Sequence, residues 1–143
     1  MSLKTLRKEG GFTLLELLIV IVIIGILALL IIPNITSAPK KARDTQRKTD
    51  LRAVKNGLEE YFVSNNSYPT ALTDLTTGTA PIMKTVPNDP KNTGAYVYTY
   101  TPANGNTTYV ISACLENGGD NGANTSAASG TCTTRVYSLT NAN

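Results

Sequence analysis

Glu16 is a carboxylate set inside an apolar run. Phe12, Leu14 and Leu15 precede it, residues 17–32 hold only apolar side chains and one glycine, and the next charge is Lys40. A carboxylate at mid-bilayer costs on the order of 2.5–3.5 kcal/mol on insertion scales, so one retained in such a segment is a functional candidate suited to pairing with a cation. The plainer alternative is a side chain one turn from the segment's end that reaches the headgroups. Cys114 and Cys132 are the only thiols. Bridged, they would close a Gly-, Asn- and Ser-rich loop and contribute about 3 kcal/mol in the chain-entropy model; the alternative is two free buried thiols. Glu59 and Glu60 are adjacent on one helical stretch, so they point apart and lack convergent partners. The chain has no His, which removes the commonest general base and metal ligand. Two cysteines cannot build a four-thiolate zinc site. These absences point away from a soluble enzyme.

The element that positions Glu16 is long and apolar. Residues 17–32, with Phe12, Leu14, Leu15 and Pro33, reach the span of about 18–20 residues that crosses a bilayer as a helix. In lipid a helix alone satisfies all its own backbone groups. Two other readings fit less well. A buried core helix would need more cover than the polar remainder of a 143-residue chain supplies. A secretory signal peptide would have a shorter apolar core, no Glu16 within it, and no proline directly after the cut at Ala38. Pro33 predicts a kink or break. Pro39 predicts a second interruption, since it disfavours α conformation at Ala38.

Residues 40–64 return to amphipathic helix chemistry. Asp44–Lys48 and Arg47–Asp50 are spaced to pair along the helix. Leu51, Val54, Leu58, Tyr61 and Phe62 form one apolar stripe, on which a head should pack. Gly57 is a weak point where a strand would come close. The helix should end in Asn65-Asn66-Ser67, before Tyr68-Pro69. Prolines 81, 87 and 90 mark an irregular segment. Strand patterns follow at Ala95–Thr101, Thr107–Cys114 and Thr133–Leu139, with Tyr96, Tyr98 and Tyr100 on one face and Asn104-Gly105-Asn106 as turn chemistry. The fold class expected is α+β: a long N-terminal helix packed on a small antiparallel sheet.

The residues around Glu16 read Lys8-Glu9-Gly10-Gly11-Phe12-Thr13-Leu14-Leu15-Glu16-Leu17-Leu18. This stretch resembles the prepilin signature of the type IV pilin and pseudopilin family: a basic leader, a glycine, a phenylalanine, and a glutamate four residues later opening a long apolar helix. The resemblance implies cleavage by a prepilin peptidase between Gly11 and Phe12, N-methylation of Phe12, and a register role for Glu16 against the Phe12 amine of a neighbouring subunit. It matches Gly25 and Pro33 to the family's helix-loosening positions. It also implies a pilin fold with a disulfide-bounded loop near the C-terminus, supporting a Cys114–Cys132 bridge. Major pseudopilins hold calcium in a loop between strands. Glu116 and Asp120, with Asn117, Asn121 and Asn124, are the weak candidates here; two carboxylates without EF-hand spacing leave the expectation at no metal and no cofactor.

The organisation that follows is a leader at 1–11, a transmembrane and assembly helix at 12–39, a stem helix at 40–64 and a β-sheet head at 65–143. The expected function is a non-catalytic filament subunit, polymerising into an extracellular pilus for adhesion, twitching motility or DNA uptake. The alternative is the major pseudopilin of a type II secretion or competence machine. Outside this class stands a membrane-anchored binding module. Expected partners are copies of the chain in a helical filament, the membrane, and the peptidase, platform protein and assembly ATPase. Localisation would be single-pass in the inner or cytoplasmic membrane before assembly and extracellular afterwards. DNA is a weaker partner candidate, raised by seven basic against four acidic residues in 40–60. Five basic residues (Lys40, Lys41, Arg43, Arg47, Lys48) follow the apolar span and three precede it. Taken alone, that count would put the head in the cytoplasm; the prepilin resemblance puts it outside.

Overall fold

The computed structural model describes residues 11–141, and for residues 30–36 the backbone alone. The expected leader therefore lies outside the described residues except for Gly11. The fold is α+β, and the chain divides into two compact units, Met1–Thr36 and Ser37–Asn143.

In the first unit, helix α1 (Leu14–Asn65) begins two residues after Phe12 and is helical through Gly25 and Pro33. Its large apolar side chains are exposed on every face of the described first-unit stretch, from 85% at Leu14 to 48% at Ile19. An all-round apolar helix has no amphipathic seam with which to bury itself in a small domain. Among the described residues no helix is long and apolar enough to cross a membrane; the described side chains of the 17–32 stretch end at Leu29.

In the second unit α1 runs from Ser37 to Asn65, and the interruption expected at Pro39 is absent. Proline disturbs the turn before it, whereas the turns after it are held by Asp44 and Arg47, both buried against the head. Asn66 (φ 54°) takes the left-handed conformation that ends the helix where expected.

The head carries a short 3-10 helix at Leu72–Thr76 and four strands, β1 (Thr99–Ala103), β2 (Thr108–Leu115), β3 (Thr125–Ser129) and β4 (Cys132–Thr140). They form one antiparallel sheet in the order β1-β2-β4-β3. Alternation along β2 turns Tyr109, Ile111, Ala113 and Leu115 toward Leu51, Val54 and Leu58 of the helix stripe. Tyr68, Leu75, Tyr137 and Leu139 complete the core. The β1–β2 turn is Asn104-Gly105-Asn106, all at positive φ, a conformation that Gly and Asn tolerate better than other residues.

Two expectations about strands change. The first strand starts at Thr99, because Thr93 and Tyr96 close a tight isolated bridge that uses the preceding residues. A fourth strand, β3, lies inside the segment expected to be loop. Thr-Ser-Ala-Ala-Ser has little strand character; it pairs because Gly130 (φ 58°) turns the chain back and the Cys114–Cys132 disulfide ties the start of β4 to β2.

Candidate functional site

The segment expected to be processed lies in the first unit. Gly11, Phe12 and Thr13 are non-helical and exposed, so the Gly11–Phe12 bond is outside the helix. Thr13 and Glu16 form a reciprocal cap: the Thr13 amide and hydroxyl each donate to Glu16 Oε2 at 2.9 Å, and the Glu16 amide donates to Thr13 Oγ1 at 3.2 Å. This Thr-x-x-Glu box satisfies donors that a helix start leaves unpaired. Gly25 has open space where a Cβ would stand, so nothing within the described unit demands a glycine there.

The second constellation is ionic and lies where α1 meets the head. Arg47 is fully buried. Its Nε and Nη2 donate to the two oxygens of Asp89 at 2.6 and 2.9 Å, and its Nη1 donates to Asp44 at 2.8 Å and Glu116 at 2.9 Å. Arg43 grips Glu116 with two parallel bonds of 2.6 and 2.7 Å, and Lys91 Nζ stands 2.9 Å from the same carboxylate. Asp44 also accepts the Glu116 and Asn117 amides, both at 2.9 Å. Buried charges are tolerable only when paired and hydrogen-bonded in this way. The Arg43 bonds, with Lys91 and Arg47 behind them, hold the Glu116 carboxyl well below the usual carboxylate range. Burial pushes the Asp89 acid upward, but the Arg47 bonds prevail and its net direction is down. Tyr96 stacks under both Arg47 and Lys91, 4.9 and 4.4 Å from its ring centre.

These contacts correct the pairing expected within the helix. Asp44 bonds Arg47 instead of Lys48; Lys48 reaches Asp120 at 2.5 Å; Asp50 accepts from Gln46 and from the Tyr98 hydroxyl, not from Arg47. The i,i+3 and i,i+4 spacing describes an exposed helix, and this face is covered by the head, where closer partners win.

The other candidate residues separate. Cys114 and Cys132 are disulfide-bonded. Glu116 and Asp120, the weak calcium candidates, are each held by side-chain cations, and among the described residues no group of three acids, thiols or imidazoles is placed to hold a metal. Glu59 accepts the hydroxyls of Tyr68 (2.9 Å) and Tyr109 (3.0 Å). Burial and Glu59 together push the Tyr68 phenol up to about 12. This is a structural bond, and Glu60 takes no part in it. The groove beside the disulfide, lined by Val97, Thr99, Ser112, Thr131 and Val136, has no titratable side chain in its lining. Three of the cations that raised DNA as a partner, Arg43, Arg47 and Lys48, are committed to acids of the head. Sequence reasoning missed Asp89 altogether; an aspartate between Pro87 and Pro90 carries no periodic signal.

Residues 6–32 match the family described as the prokaryotic N-terminal methylation motif, and residues 34–131 match that described as type II secretion system (T2SS), protein G. Similar curated proteins include the type II secretion system core protein G of Aeromonas hydrophila, 47% identical over 64 residues, or 45% of each chain. That of Vibrio cholerae serotype O1 is 44% identical over 68 residues, 48% of this chain and 47% of that one. That of Dickeya chrysanthemi is 38% identical over 86 residues, 60% and 55% of the two chains. The chain spans about half the length of the curated relatives it matches. No solved structure matches it. The methylation motif falls on the segment around Glu16, and the longer match takes in the stem helix, the Arg47 cluster and most of the sheet. On that coverage the chain belongs to the type II secretion system protein G family, whose members are structural pseudopilin subunits and not enzymes.

Proposed function

We propose that this chain is a pseudopilin subunit that is stored in the membrane by its apolar helix and assembles with copies of itself into a secretion pseudopilus. The observation that carries the reading is the family match over residues 34–131, joined to the methylation motif at 6–32. It favours the pseudopilin alternative over a surface pilus for adhesion or motility. A prepilin peptidase cuts between Gly11 and Phe12, removing the basic leader and keeping the anchor. Phe12 is then methylated, and Glu16 meets the new amine of a neighbouring subunit. Burying either charge alone is expensive, so pairing makes the correct register the favourable one. Gly25 and Pro33 are where the helix loosens during bundling. A platform protein and an ATPase supply the work, and the disulfide-closed head ends on the outside of the membrane.

The test is the intact mass of the chain recovered from membranes. Loss of Met1–Gly11 plus one methyl group is expected. An uncut N-terminus, or one at Pro39, overturns the reading. Long surface filaments containing the chain would return it to the pilus class.

A further inference from the structure

The pseudopilin resemblance brings with it a calcium ion in a loop between strands, and the donors of this head do not fit one. Glu116 Oε1 accepts Arg43 Nε and Arg47 Nη1, and Oε2 accepts Arg43 Nη2 with Lys91 Nζ 2.9 Å away. Asp120 Oδ2 accepts Lys48 Nζ at 2.5 Å, and its Oδ1 takes the Gly122 amide at 3.0 Å. The side-chain oxygen of Asn117 accepts the Gly119 amide, and that of Asn121 accepts Arg135. The carbonyl of Asn124 takes the Ser138 amide at 3.0 Å, across to β4. Calcium needs six to eight oxygens with free lone pairs converging at 2.3–2.6 Å. Here the oxygens diverge toward separate donors, and a dication at either carboxylate would meet a side-chain cation within hydrogen-bond distance of it.

We infer that this head dispenses with the loop metal and uses its own cations in its place. Arg47 is the resident charge at the centre, bridging Asp44, Asp89 and Glu116 from α1, the 87–92 segment and the end of β2. Lys48 ties α1 to the middle of the loop through Asp120. Arg43 and Lys91 close the shell over Glu116. Three cations (Arg43, Arg47, Lys91) face three carboxylates (Asp44, Asp89, Glu116), so the cluster is balanced without an added ion. The consequence is a head whose folding and stability are independent of calcium.

The experiment is thermal unfolding of the oxidised full chain in detergent, with about 5 mM calcium chloride or with a chelator; that concentration exceeds the affinity range of weak extracellular calcium modules. The wild-type Tm is expected to be the same in both. Arg47→Met should lower Tm by about 10 °C or more in both conditions, the scale expected when a buried charge cluster loses its centre. Lys48→Met, at a partly exposed site, should lower it by roughly 4 °C and remain folded if the first variant does not. A calcium-dependent rise in the wild-type Tm beyond replicate scatter overturns the inference. So does a wild-type Tm in both variants.

Discussion

Glu116 ties α1 to the head, because one carboxylate answers Arg43, Arg47 and Lys91 while its amide donates to Asp44. Its pKa in the folded chain is displaced downward by the Arg43 bonds first, and that of Asp89 shifts the same way through its Arg47 bonds. A carboxylate whose folded pKa lies below its unfolded value binds fewer protons in the native state. Its stabilisation is therefore complete above the unfolded value, about 4 for such groups, and is lost as pH falls through and below it. The Tm should be flat from neutral pH down to about pH 5 and then fall steadily. Glu116→Gln should start lower at pH 7 and show a shallower acid slope, since one of the linked protons is gone. Circular dichroism melts across the pH range check this; an unchanged slope in Glu116→Gln would place the acid sensitivity elsewhere.

At the scale of elements, Gly57 shows how a helix and a loop fit together. A Cβ built there would stand 3.0 Å from Met83 Sδ and 3.2 Å from its Cγ. The close neighbour expected from the sequence is present, but it is the Ile82–Met83 loop and not a strand. Gly57→Ala gains about 1 kcal/mol of helix propensity and asks only that a flexible thioether move by a few tenths of an ångström. It should fall within about 1 kcal/mol of neutral. Gly57→Leu has no such escape and should destabilise by about 1–3 kcal/mol through overpacking; denaturant midpoints separate the two. The same helix shows what the sequence makes legible. Leu51, Val54 and Leu58 announce the core face by spacing, and Asn104-Gly105 announces its turn. The ionic half of the interface carries no such signal: Asp44 and Arg47 look like surface charges until Asp89 and Glu116 arrive from 42 and 69 residues away. β3 is hidden for a related reason, since its pairing comes from the turn and the disulfide beside it and not from its own side chains.

For the whole molecule, the two units differ in what covers them. The head and its part of α1 enclose a complete core, a disulfide and a balanced charge cluster. The first unit's apolar side chains have no cover within the described residues of that unit, and lipid or other copies of the helix are what the proposed function supplies to them. Of the five basic residues that follow the apolar span, Arg43, Arg47 and Lys48 are internal partners of the folded head. Leader removal would take Lys4, Arg7, Lys8 and Glu9 away and leave the side chains at a net +1 from an initial +3. Glu16 is then the one acidic side chain between Phe12 and Lys40. In the single chain it accepts the Thr13 amide and hydroxyl, and under the proposed function those bonds serve it until a neighbouring subunit arrives. Glu16→Ala removes a group that is costly to insert and one half of a cap worth about 1 kcal/mol. Insertion, cleavage and closure of the Cys114–Cys132 bond should therefore proceed as in the wild type. Assembly should not, because the Phe12 amine of a neighbouring subunit would have no counter-charge to bury against. The amount of cross-linked multimer recovered from cells should fall roughly tenfold or more, the loss expected from one unpaired buried charge. Wild-type multimer from the variant would show that register is set by apolar packing alone.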